Sequence, residues 1–218
     1  MTIKTLAAAL AFPIALAVGG FARANVVYNV SLNTIAISGT AGVYGLAFSF
    51  TDGSGLNDGN NTVTLSNFTF GGGGSVGVGG LIGGASGNLG SSVVLVDSSF
   101  FNAYTQGFTP GSSLSFQLDA TTNLDPGGTP DSFGFSILSS GSSILTTDIL
   151  GSNFLSFDID SANPTPAVFA TDSASNVVLA APSVSPAGPG PGKVPEPGTF
   201  ALAALALAGL AYSRRRSA

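Results

Sequence analysis

Between residues 25 and 181 apolar side chains recur at every second position in short runs, and each run ends at glycine, proline, asparagine or aspartate. A period of two marks a strand with one buried face, because successive side chains on a pleated strand point to opposite sides. Leu114, Phe116 and Leu118 alternate with Ser115, Gln117 and Asp119, and Phe133, Phe135 and Ile137 alternate with Gly134 and Ser136. Further strands are expected over 26–32, 44–50, 62–70, 92–96, 154–159 and 176–179. No helical period appears outside the two terminal apolar segments. Many short strands between turns predict an all-β chain, a single antiparallel β-sandwich of jelly-roll-like form, with Phe100, Phe101 and Phe108 packed inside it.

Charge narrows the function classes. The six Lys and Arg lie at Lys4, Arg23, Lys193, Arg214, Arg215 and Arg216, so no cation stands between Asn25 and Gly192. Of the eleven acids only Glu196 is a glutamate, which leaves ten aspartates and a formal charge of −10 in that stretch. Such a domain repels nucleic acid, whose binding needs Lys and Arg against phosphate. With no His and no Cys anywhere, and no Lys or Arg in the domain, the usual bases, nucleophile activators and oxyanion clamps are missing, and no enzyme is expected.

The two ends read as addresses. Residues 1–24 have Lys4, an apolar segment over 6–18 and Ala22-Arg23-Ala24 before Asn25, the layout of a cleaved signal peptide that enters the membrane as a helix. Residues 25–181 form the ectodomain. Residues 182–193, where Pro182, Pro186, Pro189 and Pro191 alternate with Gly and Ser, read as an extended linker. Residues 194–218 hold Val194-Pro195-Glu196-Pro197-Gly198-Thr199, thirteen apolar residues over 200–212, and Arg214, Arg215 and Arg216. A helix that crosses the hydrocarbon takes roughly 20 residues, so this transmembrane helix is a minimal one. The arginines stop transfer and keep the C-terminus in the cytoplasm, with the ectodomain outside.

Signal peptide, Pro-Glu-Pro, short apolar helix and arginine cluster together resemble the PEP-CTERM proteins of Gram-negative bacteria. The resemblance implies that Pro195, Glu196 and Pro197 are recognised by a membrane-embedded processing enzyme of the exosortase type. It also implies export through the inner membrane to the cell surface or extracellular matrix, in cells that make exopolysaccharide and biofilm. The segment Phe108-Thr109-Pro110-Gly111-Ser112-Ser113-Leu114-Ser115-Phe116, with 125–138 and Ser66-Asn67-Phe68, is similar to a β-rich ectodomain that recurs ahead of such tails and has no assigned activity.

Other patterns are weaker. Gly73-Gly74-Ser75-Val76-Gly77 matches a nucleophile elbow, but no His is present to serve Ser75. Asp52, Ser54, Asn57, Asp58 and Asn60 offer oxygen ligands that suit Ca2+, with Asp52, Asp58 and Asn60 as the leading candidates. The loop lacks an EF-hand pattern, and a polar hairpin closed by local turns accounts for the same residues. Asp158 and Asp160 share one strand face roughly 7 Å apart. They suggest an acid pair for glycoside hydrolysis, or simply a solvated face. Tyr28, Tyr44 and Tyr104 are the polar aromatics available to stack on a glycan. The expected protein is an exported, non-enzymatic structural or adhesive component without a cofactor. The alternative is a carbohydrate-binding module, assisted by calcium, with exopolysaccharide as its partner.

Overall fold

A computed structural model describes residues 25–39, 43–124 and 128–187. The expected signal peptide, the tail with Pro195, Glu196, Pro197 and Arg214 to Arg216, and both terminal helices lie outside the described residues. Thirteen strands follow one another: β1 (Asn25–Asn33), β2 (Tyr44–Thr51), β3 (Thr62–Thr69), β4 (Gly74–Ile82), β5 (Gly84–Gly87), β6 (Ser92–Val96), β7 (Phe101–Thr109), β8 (Ser113–Thr121), β9 (Ser132–Ser139), β10 (Ser142–Ser143), β11 (Leu155–Asp158), β12 (Ala167–Val168) and β13 (Ser183–Pro186). They make two antiparallel sheets, ordered β13-β1-β8-β3-β6-β5 and β12-β11-β9-β2-β7-β4, with β10 beside β9.

The pairing is nested: β1 with β8, β2 with β7, and β3 with β6. That is an antiparallel ribbon rolled so that alternate pairs fall in opposite sheets, the jelly-roll form of a β-sandwich. Between the sheets lies an aromatic core. Phe48 of β2 stacks on Phe135 of β9 at 5.2 Å and meets Phe116 of β8, in the opposite sheet, edge to face at 5.6 Å and 81°. The alternation read in β8 and β9 is what turns these rings inward, since Leu114, Phe116, Leu118, Phe133, Phe135 and Ile137 are all buried.

Three expectations change. Phe108 is buried, but Phe100 and Phe101 are 62 % and 45 % exposed, because the outer face of β7 begins at Phe101. Residues 176–179 are not a strand. Leu179 there plugs the core through reciprocal bonds with Thr171. The stretch from Pro182 was expected to be a linker. Over Ser183–Pro186 it is instead an edge strand on β1, and Ala187 N–H continues the ladder to Val27 O at 2.7 Å. Proline is tolerated at such an edge because it removes only an outward donor.

The glycine-rich run around Gly74 is a strand that lies against a neighbouring backbone. It forms β4, an edge strand on β7 whose register shifts between Val76 and Gly80. Gly77, at φ +70°, bends the bulge, and its carbonyl accepts from Gln106 Nε2 at 2.8 Å. A Cβ on Gly79 would sit 2.5 Å from the ring of Tyr104, which is fully buried. Gly79→Val is therefore expected to cost about 1–3 kcal/mol by overpacking, whereas Val76→Thr on the exposed side should stay within about 0.5 kcal/mol. Urea unfolding followed by circular dichroism measures both, and equal midpoints would contradict the packing of Tyr104 under this strand.

Candidate functional site

Most strand ends that carry aspartate gather at one end of the sandwich. β2 runs out into Asp52, β6 into Asp97 and β11 at Asp158, while β3 starts after Asn61 and β9 after Asp131. The ladders bring these ends together: Thr62 opposes Val96, Thr51 opposes Ser132, and Asp158 also opposes Ser132. Strand ends favour Asp and Asn because short acceptor side chains can take up backbone N–H groups that leave the ladder.

Asn61 is the hub of this end. Its side chain is 1 % exposed. Its Nδ2 donates to Asn123 O and to Asp131 Oδ2, both at 2.8 Å, and its Oδ1 accepts from Asn123 N at 2.8 Å and from Thr121 Oγ1 at 3.2 Å. Its backbone N–H donates to Asp97 Oδ2 at 2.9 Å. Asp131 is anchored on its other oxygen, where Oδ1 accepts from Gly53 N at 3.0 Å. Asp97 is 1 % exposed, and its Oδ1 meets no donor. Burial pushes the Asp97 carboxyl up to about 7, against the Asn61 N–H, with the neighbouring charges of Asp131 and Asp58 adding to the rise.

The sequence candidates fall into different places. Asp52 is buried at the mouth of its own loop, with Oδ1 accepting from Ser54 Oγ at 2.9 Å and Gly55 N at 2.7 Å, and Oδ2 from Asn57 N. Burial pushes its carboxyl up, but the Asn57, Ser54 and Gly55 donors outweigh burial and hold it below the ordinary carboxylate value. It acts as the knot of the loop. Asp58 is exposed and accepts from Asn60 N at 3.2 Å and Asn60 Nδ2 at 3.0 Å. Asn60 in turn accepts from Asn123 through its backbone carbonyl. Among the described residues no three acidic side chains converge closely enough to hold a metal ion by themselves.

Asp158 and Asp160 are exposed on either side of buried Ile159 and line a shallow depression of 380 Å³ with Ser156 and Thr165. Ser75 lies within strand β4, opposite Phe108, so no elbow exists there. Tyr104 leaves the set of glycan contacts, since its ring is in the core and its hydroxyl donates to Gln106 Oε1. Tyr44 is half-buried beside Leu138 and Thr105. Tyr28 is half-buried in an open groove of 630 Å³ with Asn25, Asn163, Pro166 and Val184, and its hydroxyl donates to Pro164 O.

Asp97, Asp131 and Asn123 were not among the residues the sequence singled out, because 36 residues separate Asn61 from Asp97 and 70 separate it from Asp131. Only the strand order brings them together. The one advance signal was the absence of cations, which leaves any buried aspartate here without an ion-pair partner.

Among the described residues no helix is long and apolar enough to cross a membrane, and the apolar run at 200–212 lies outside them. Residues 193–216 match the model of the PEP-CTERM protein-sorting motif. No curated protein and no solved structure matches the chain.

Proposed function

From a C-terminal PEP-CTERM sorting signal, which marks an exported cell-surface protein processed by an exosortase-type enzyme, we propose that this chain is a non-enzymatic structural or adhesive component of an exopolysaccharide-rich matrix. The sorting motif at 193–216 carries the reading. Two features of the domain support the passive role. It offers no His, Cys, Lys or Arg between Asn25 and Gly192 for chemistry. It also presents β4 as a nine-residue edge strand that exposes Val78, Leu81 and Ile82, and such an edge offers unpaired backbone groups and apolar surface to a neighbour.

Mass spectrometry of the C-terminal peptide in fractionated native cells tests it. The form in the medium or matrix is expected to end near Pro195, Glu196 and Pro197 and to lack Arg214, Arg215 and Arg216. Replacing Pro195, Glu196 and Pro197 together by alanine should shift most of the protein to the membrane fraction with its arginines intact. An uncleaved wild-type tail would reduce the signal to an anchor and overturn the reading.

One observation favours carbohydrate binding as a second reading: the open groove at Tyr28 pairs an aromatic ring with the amides of Asn25 and Asn163, the kind of surface that sugar rings accept. Retention on the native polysaccharide, with and without chelator, tests it, and a Tyr28→Ala variant retained as well as the parent would remove it.

A further inference from the structure

We infer that the acidic end of the sandwich is a divalent-cation site suited to Ca2+, in which Asp97 and Asp131 supply carboxylate oxygens and water the remaining positions. The inference stands apart from the sorting assignment and rests on three observations.

The first is the orphaned oxygen. Asp97 is 1 % exposed, Asn61 N–H satisfies its Oδ2, and its Oδ1 is buried with no donor. Buried polar atoms are almost always partnered, so an acceptor held in place without a donor marks the position of something that donates or is positively charged. The second is the anchor the two carboxyls share. Asn61 holds both, its backbone N–H on Asp97 Oδ2 and its Nδ2 on Asp131 Oδ2. Each Asp131 oxygen already accepts one N–H, from Gly53 and from Asn61, so its carboxylate cannot turn away.

The third observation is what the chain lacks. No Lys, Arg or His lies between Asn25 and Gly192, so no side chain of the domain can neutralise the pair. Its charge must be met from outside, by a proton shared between the carboxyls or by a bound cation. An all-oxygen set with no His or Cys selects a hard ion, and Ca2+ accepts irregular sets of carboxylate, amide carbonyl and water. Exported domains meet it at millimolar concentration. The site differs from the one expected at Asp52, whose oxygens are taken up by Ser54, Gly55 and Asn57.

The test uses the full chain in detergent at pH 7.5, stripped with EGTA. Equilibrium dialysis should find one Ca2+ bound with Kd of about 10⁻⁴–10⁻³ M. Saturating CaCl2 should raise Tm by about 3–5 °C over EGTA. Asp97→Asn keeps the shape and the bond to Asn61 and can donate to Asp131. It is expected to lose the rise while melting in EGTA no lower than the parent. Asp158→Asn, exposed at the same end, should keep the full rise. Absence of Ca2+ binding by the parent at millimolar concentration would overturn the proposal in favour of a shared proton. So would an unchanged rise in Asp97→Asn, which would place the ion elsewhere. The dialysis result decides even if a variant fails to fold.

Discussion

Phe48→Ala is expected to lower the stability of the domain by about 3–5 kcal/mol, the usual cost of removing a buried phenylalanine from a core that cannot collapse, and its Tm by about 10 °C. The size of the effect follows from where the ring sits. Phe48 is 1 % exposed and lies within 6.5 Å, centroid to centroid, of Phe68, Phe116, Phe133 and Phe135. Phe133 and Phe135 belong to its own sheet, whereas Phe68 and Phe116 belong to the other. Truncation therefore opens a cavity at the seam between the sheets, where four rings held by their own strands cannot all move in to fill it. Phe101→Ala on the same sheet removes a similar ring from the outer face and should cost less than about 1 kcal/mol. With no Trp in the chain, urea unfolding is best followed by far-ultraviolet circular dichroism. Equal midpoints for the two variants would refute this placement of the core.

Asn61→Ala should cost about 2–4 kcal/mol, because it removes several bonds at once. Asn123 N–H, Asn123 O and Asp131 Oδ2 each lose their bond to the Asn61 side chain, the one to Asp131 in a buried position. Asn61→Asp gives a sharper comparison. It keeps the size and the acceptor, but it sets a carboxylate oxygen against Asp131 in place of an amide donor. In a domain with no cation to absorb that charge, the isosteric change should be the more damaging of the two when measured in EGTA. If aspartate proved milder than alanine, the loss would come from lost volume, and the role of Asn61 as the joint between Asp97 and Asp131 would fall.

What the sequence made legible was whatever is decided by neighbours along the chain. The alternation in 114–118 and 133–137 gave β8 and β9 because period-two patterning is local, and the run 92–96 matched β6 at both ends. The glycine-rich β4 and β5 were legible only as one of two alternatives, a flexible connection or a strand against a nearby backbone, because their pairing with β7 and β6 decides between the two. β13 was hidden for a related reason. Its prolines read as linker, and only the free edge of β1 makes it a strand. At the candidate site, the loop from Asp52 to Asn61 was visible as a run of oxygen side chains. Which of those oxygens its own backbone takes up depends on a fold of the loop that composition does not encode. Asp97 and Asp131 are single aspartates at the ends of strands in opposite sheets, and only the packing of one sheet on the other sets both of them on Asn61.

The edge strand β13 bears on how the domain would carry a load. Pro186 opposes Tyr28 and Ser183 opposes Ser31, so β13 runs toward the end where β1 begins, and Ala187 is the last described residue there. A pull on Ala187 along the strand direction draws β13 lengthwise against β1, so that its rungs resist in shear and share the tension. A sideways pull would open the same rungs one after another. Lying ahead of the sorting tail in the chain, β13 would act as a mechanical fuse, firm against drag along its axis and weak to peeling.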